Sequence, residues 1–313
     1  MYEAVEGNVR GTWLLVMGFI VVAGALGYVF GQLTGFGYWG VTVAAIIAAA
    51  GAWGSYYYSD QVVLSISGAR PADRERYQHL YNTVEGLAIA AGVPAPNVYL
   101  IEDTAPNAFA TGRDPGHAAI AVTTGLLDKL NRLELEGVIA HEMSHIQNYD
   151  IRLATITAVL VGLVALLSDW LLRSMRWGRR RGDREEGSAG GVLILVGIAL
   201  AILAPLFAQL MRLAISRRRE FLADASGAML TRYPEGLASA LQKITADPEP
   251  LEVANKATAH MYIINPLREW GGWANSLFDT HPPVEERVRR LREMEAGAAP
   301  QTEAVRPAGG SVT

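Results

Sequence analysis

Cysteine is absent from the 313 residues. That excludes disulfides, a thiol nucleophile and any Cys-ligated metal, and it leaves the redox compartment unread. A metal site here must be built from imidazoles and carboxylates, and only six histidines are available: His79, His117, His141, His145, His260 and His281. Charge is scarce too. Only 19% of residues are charged, against about 25% in soluble domains. The deficit is local, because residues 11–59 contain no Lys, Arg, Asp or Glu. A charge-free stretch of that length reads as membrane, not as the core of a soluble domain. Nor is there a basic excess: 27 Lys+Arg face 31 Asp+Glu, for a net charge of -4, which excludes a broad basic face for nucleic acid.

Within the charge-free stretch two apolar runs, 13–33 and 38–58, flank a turn at Gly35, Phe36 and Gly37. A membrane span needs about 20 apolar residues at roughly 1.5 Å each, and both runs suffice. Trp13, Tyr38, Trp39 and Tyr56 to Tyr58 stand where interfacial aromatics are expected. Residues 59–152 read as soluble: a helix over 71–91, short strands over 97–101, 107–111 and 118–123, then helices over 125–130 and 133–148. Two further apolar runs, 151–172 and 191–213, flank an arginine-rich loop at 173–190. A second soluble part ends in a helix over 283–295. The residues from 296 are Ala, Gly, Pro and Thr-rich and read as disordered. The organisation is thus a transmembrane hairpin (1–59), a first catalytic part (60–152), a second hairpin (153–213), a second catalytic part (214–295) and a tail (296–313).

His141-Glu142-Met143-Ser144-His145 places two imidazoles four residues apart on one helical face, where both reach one metal. Glu142, beside them, is placed to take a proton from an attacking water. A catalytic zinc takes three protein ligands and one open position. Without cysteine the third is His, Asp or Glu. Glu220 is the best candidate, although a glutamate after three arginines is more commonly a surface ion-pair residue. Topology favours the ligand reading. His145 lies eight residues before the span boundary at 153, and Glu220 seven after that at 213. Two crossings therefore return Glu220 to the height of His145, about 10–12 Å from the membrane edge. Asp224, one turn beyond Glu220, suits an acceptor for the second N–H of a ligating imidazole.

The motifs H-E-M-S-H, S-R-R-R-E-F-L-A-D over 216–224 and D-T-H-P-P-V-E-E-R over 279–287, in that order around two apolar runs, resemble those of the HtpX-type membrane zinc metallopeptidases. These are gluzincins related to the CAAX prenyl-protein proteases. Residues 106–112 and 265–267 resemble further motifs of that family, and the likeness covers about 10–294. The resemblance implies a mainly α integral membrane protein, with transmembrane helices and a gluzincin-like α+β metalloprotease domain carrying a small β-sheet. It implies one zinc ion held by His141, His145 and Glu220, with Glu142 as base and Asp224 as orienting acceptor. His281 reads either as a partner of the reaction's oxyanion or as a helix-start residue before Pro-Pro, and Arg287 as its ion-pair anchor. Asn107, Ala108, Phe109, Ala110 and Thr111 read either as a substrate-binding edge strand or as a buried strand.

The leading expectation is a zinc endopeptidase of misfolded or damaged membrane proteins, its partners being protein substrates and the bilayer, with no nucleic acid. The alternatives are a CAAX-type protease, for which four apolar runs are few, and a non-catalytic zinc scaffold, against which the intact Glu142 argues. Arginines lie on both sides of the spans, so the positive-inside rule assigns no orientation. The resemblance implies a multi-pass protein of the inner or plasma membrane with a cytoplasmic catalytic domain. Residues 251–281, with Met261, Trp270, Trp273 and Phe278, read as a cover over the cleft or as ordinary core.

Overall fold

The computed structural model describes residues 2–34, 37–160, 162, 217–254, 258–264, 266 and 282–298. Half of the third apolar run, the loop 173–190, the fourth run and His281 lie outside them.

The charge-free stretch forms two long helices, α1 (Tyr2–Thr34) and α2 (Trp39–Ile66), packed on each other. Gly37 takes the left-handed backbone (φ +55°) that reverses the chain between them. Stretches Val5–Ala25 and Trp39–Ile66 are each long and apolar enough to cross a membrane. Leu14, Val21, Ile46, Ile47 and Trp53 are exposed along them, which is the outer surface a bilayer would solvate. Trp13 stacks on Tyr56 and Tyr28 meets Tyr38, with ring centroids 6.2 and 6.1 Å apart. Helix α2 runs past residue 59 to Ile66 and delivers the chain directly to the sheet.

The sheet is four-stranded, in the order β1-β2-β4-β3, with β1 (Arg70–Pro71), β2 (Asn97–Ile101), β3 (Ala108–Gly112) and β4 (Ala118–Thr123). β2 and β4 are parallel, and the two outer pairings are antiparallel. The helix expected over 71–91 begins later, as α3 (Gln78–Ala91). Ala72 N–H bonds Val98 O, which keeps the preceding chain on the sheet, and Asp73 Oδ1 accepts from the Glu75 and Arg76 amides in a turn.

Two helices follow β4: α4 (Thr124–Lys129), capped by the Thr123 hydroxyl, and α5 (Arg132–Gln147). α5 starts at a capping box in which Asn131 and Glu134 bond each other's backbone amides at 3.1 and 2.9 Å. It is the central helix of the core. Leu135, Val138, Ile139 and Met143 meet Leu80 and Val84 of α3, Ile120 and Val122 of β4, and Leu237 and Leu241. Residues 150–160 form another helical stretch, and α6 (Arg217–Thr231), α7 (Pro234–Ala246) and α8 (Val284–Ala298) complete the domain. α8 extends to Ala298, past the expected end at 295. The domain is therefore mostly helical with a small mixed sheet.

Glycine permits two close approaches on α5. A Cβ on Gly137 would lie 2.6 Å from Leu237 N, and one on Gly227 of α6 would lie 3.0 Å from His141 N. The second contact seats α6 against the histidine face of α5.

Candidate metal centre

His141, Glu142 and His145 sit in a helix that is buried nearly all round, so their polarity needs compensation. The two imidazoles face each other, with Nε2 atoms 3.1 Å apart and rings at 88°. Helix α6 brings Glu220 against both: its Oε2 is 3.8 Å from His141 Nε2, and its Oε1 is 3.7 Å from His145 Nε2. One ligand atom from each of the three lies within 4.8 Å of the others.

The outward nitrogens are also engaged. His141 Nδ1 lies 2.9 Å from Asp224 Oδ1, and His145 Nδ1 lies 2.9 Å from Asp150 Oδ2. An Nδ1–H given to a carboxylate fixes the tautomer and leaves the Nε2 lone pair pointing inward. Two imidazole lone pairs and a carboxylate then converge on one point, an arrangement that requires a cation or protons there. The set fits a divalent metal with one open coordination position.

Asp224 is itself held by Arg287 of α8. Arg287 is 0% exposed and donates from Nε and a terminal nitrogen to the two Asp224 oxygens at 2.8 and 2.7 Å. Its other terminal nitrogen donates to Ile263 O at 3.0 Å and lies 3.9 Å from Glu220 Oε2. Burial would favour a protonated Asp224, but the Arg287 charge and hydrogen bonds, with His141, hold it down to about 2. For His145 burial opposes the charge, yet the Asp150 hydrogen bond and the Glu220, Asp150 and Glu142 carboxylates raise it to about 9. Glu142 goes the other way from an ordinary surface carboxylate. Burial raises it, against the nearby imidazoles and a hydrogen bond from the Ala110 backbone. A carboxyl poised above its usual range suits proton transfer near neutral pH.

Glu142 lines one narrow cavity with His141, His145, Glu220 and Ala110, of about 40 Å³. That is room for roughly one water at about 30 Å³ each. The larger groove of about 740 Å³ between α7 and α8, lined by Gln242, Val284, Val288 and Arg292, holds none of these groups.

β3 is the sheet edge beside this cavity. Asn107 O accepts from Thr123 N–H on β4, so the alternate residues Ala108, Ala110 and Gly112 turn their backbone groups outward. That edge is engaged. Ile263 N–H donates to Ala108 O at 3.0 Å, the Asn107 side-chain Nδ2 donates to Ile264 O at 3.0 Å, and Gly112 N–H donates to the Thr155 hydroxyl at 3.3 Å. Phe109 packs edge-on against Tyr262, centroids 5.1 Å apart. Within the segment considered as a cover, Met261 and Tyr262 are buried in a core cluster while lining the cavity, and Trp270, Trp273 and Phe278 lie outside the described residues.

The structure thus brings His141, Glu142, His145, Glu220, Asp224 and Arg287 together, and lays Asn107 to Thr111 alongside. Arg287 anchors Asp224, a partner its sequence position did not suggest. Three residues escaped the sequence reading. Asp150 holds His145, Asn8 on α1 donates to Asp150, and His260 lines the cavity with its Nε2 3.1 Å from Ala154 O. The signal for Asp150 was hidden, because α5 ends at Gln147 and left-handed Tyr149 (φ 60°) bends the chain back. The signal for Asn8 was an amide at the mouth of an apolar span, where polar residues are seldom idle.

The sequence pattern of Peptidase family M48 matches residues 74–295. The Protease HtpX homolog of Dictyoglomus thermophilum is 50% identical over 293 residues, covering 94% of each chain. That of Thermoanaerobacter pseudethanolicus is 48% identical over 298 residues, 94% of this chain and 98% of its own. That of Streptococcus gordonii is 45% identical over 303 residues, 94% of this chain and 100% of its own. Among solved structures, the crystal structure of S. mikatae Ste24p is similar over 93% of this chain and 67% of its own, with a TM-score of 0.47 and 18% identity.

Proposed function

The chain belongs to peptidase family M48 and is a metalloprotease, and on that footing we propose a zinc endopeptidase anchored in a membrane by its apolar hairpins. The observation that carries this reading is the convergence of His141 Nε2, His145 Nε2 and Glu220 beside a buried Glu142. A two-imidazole, one-carboxylate set without sulfur is a common zinc donor set. The chemistry zinc supplies in such a site is Lewis acidity, which lowers the pKa of water to about 7.

Each side chain then has a defined task. His141, His145 and Glu220 bind. Asp224 and Asp150 orient the two rings through Nδ1–H, and Arg287 fixes Asp224. The Glu142 carboxylate takes the proton of the attacking water and returns it to the leaving amine nitrogen. An extended peptide pairs with the outward groups of Ala108 and Ala110, the mode by which a sheet edge accepts a strand. Ile263 now occupies Ala108 O and Glu142 accepts from the Ala110 backbone, so peptide pairing requires those contacts to be exchanged. His281 is kept as the oxyanion partner on the sequence pattern alone.

Membrane proteins, misfolded or damaged, are the proposed substrates. What supports this is proximity: Asn8, bonded to Asp150, is three residues from the charge-free stretch beginning at 11, about 5 Å along a helix. A site at that height meets juxtamembrane chain before distant loops. The proposed setting is the inner or plasma membrane, multi-pass, with the catalytic part cytoplasmic. The test is proteolysis of a membrane-protein substrate by the full chain in liposomes, with chelator and with zinc restored. Loss and recovery of cleavage support the reading, and unchanged cleavage in excess chelator contradicts it. In parallel, Glu220→Ala is expected to lose its zinc; full retention would move the third ligand elsewhere.

A further inference from the structure

We propose that Asn8 is a positioning residue of the metal site, so that the first apolar helix takes part in holding a ligand and is not only an anchor. The inference rests on the metal site proposed above.

Asn8 is 4% exposed, and each of its amide groups is used. Nδ2 donates to Asp150 Oδ1 at 2.5 Å and to Asn148 O at 2.9 Å, and Oδ1 accepts from Arg219 at 2.7 Å. The network fixes the amide orientation. A flipped amide would set its oxygen against the Asp150 carboxylate and the Asn148 carbonyl, and its NH2 against a guanidinium. Asp150 spends its other oxygen, Oδ2, on His145 Nδ1. A carboxylate held at one oxygen only swings about a broad torsion. Clamping Oδ1 therefore aims Oδ2, and with it the imidazole.

The clamp comes from a packed helix face. Thr12 Oγ1 donates to Asn8 O at 2.9 Å. Further along the same face Leu15 and Val16 pack on Leu153, Ile156 and Leu160 of the stretch that carries Asp150. Spacings of four and seven or eight put Asn8, Thr12 and Leu15/Val16 on one side of α1. Asn8 is the polar head of that seam. It joins α1, the end of α5 and the ligand helix α6 through Asp150, Asn148 and Arg219. Neither variant tested below repeats the set: Asp would face Asp150 with like charge, and Ala would leave the Arg219, Asn148 and Asp150 contacts unmade.

The experiment uses the full chain, zinc-loaded, in detergent micelles. Zinc release to a chromogenic chelator, the d–d spectrum of the cobalt-substituted protein, and kcat and KM are measured for Asn8→Ala, Asn8→Asp, Asp150→Asn and Asn8→Ala/Asp150→Asn. Asn8→Ala and Asn8→Asp are expected to release zinc severalfold faster, up to the roughly 10–100-fold that loss of a ligand histidine's own partner gives, with a shifted cobalt spectrum and a fall mainly in kcat. In the Asp150→Asn background Asn8→Ala should add little, because both act through one carboxylate. Leu14→Ala, on the exposed side of α1, should release zinc at the wild-type rate. If Asn8→Ala does not fold, Asn8→Asp carries the test. Wild-type release and spectrum in the Asn8 variants, or fully additive effects with Asp150→Asn, would overturn the inference. A wild-type protein that takes up no zinc would overturn the metal-site reading itself, and the two failures are distinct.

Discussion

The two imidazoles of the proposed metal centre are chemically alike but are held by different parts of the molecule. His141 is 1% exposed and leans on Asp224, which is bonded twice to a fully buried Arg287 from the last helix. His145 leans on Asp150, which is bonded to an amide from the first helix and lies at the rim of the cavity. One side is a fully buried, doubly bonded ion pair from α8, and the other is an amide clamp from α1 backed by Arg219, whose Nε lies 3.9 Å from Asp150 Oδ1. The difference assigns rigidity to the core side and coupling to the membrane side. The same ligand geometry is then expected to fail in two distinguishable ways.

The largest effect should come from disrupting the core side. Arg287→Met leaves Asp224 buried without its partner, and removal of one member of a buried pair costs about 3–5 kcal/mol. Chemical unfolding of the metal-free protein should show a loss of that order. A loss under about 1 kcal/mol would mean that Asp224 finds another cation. Next, Asp224→Asn and Asp150→Asn should both hasten zinc loss by about 10–100-fold. Asp224→Asn should also lower the unfolding midpoint of the metal-free protein further than Asp150→Asn, since it strands the fully buried Arg287, whereas Arg219 lies 3.9 Å from Asp150 and keeps its bond to Asn8. Equal loss of stability in both would erase the distinction between the sides.

Proton linkage separates the two sides further. His145 is raised to about 9 in the metal-free protein. Its contribution to stability is therefore complete below the ordinary histidine range near 6.5 and is lost as pH rises through about 9. Asp224, lowered to about 2, contributes above its ordinary value near 3.8 and loses its contribution as pH falls towards 2. Metal-free stability should accordingly decline between pH 6.5 and 9. Zinc uptake at pH 7 should release about one proton, the one that leaves His145. Calorimetry in buffers of different ionisation enthalpy measures that number, and zero protons would contradict the placement of charge on His145. A smaller effect is expected from Gly227→Ala. Its Cβ would press on the His141 backbone at 3.0 Å, displacing α6 by a few tenths of an ångström. Zinc release should rise severalfold, with little change in stability; no change would mean that Glu220 and Asp224 follow the shift.

Much of this was legible in the sequence, for physical reasons. Helical periodicity places His141 and His145 on one face and Asp224 one turn from Glu220, so local spacing suffices for those pairs. The strands at 97–101 and 118–123 carried clear β-prone runs between turns, and the observed strands keep those bounds. The helix start at 71 did not hold, because pairing of Ala72 to β2 and the Asp73 turn outcompete helical propensity there. The Asp150 contact depends on a left-handed Tyr149, which periodicity cannot anticipate. Asn8 and Asp150 are separated by 142 positions, and only the packing of α1 on residues 150–160 joins them. Arg287 was singled out, but its partner across 63 positions follows from how α8 crosses α6, not from its neighbours in the chain.

The proposed chemistry stands or falls with Glu142 as the proton-transfer group beside a metal held by His141, His145 and Glu220. Glu142→Gln isolates that role, because the amide keeps shape and leaves every ligand in place while removing the base. Zinc content and proteolysis of the purified full chain are measured together. The expected outcome is wild-type zinc with turnover reduced by about 10²–10⁴-fold. A fully zinc-loaded Glu142→Gln protein that cleaves at near wild-type rate would contradict it.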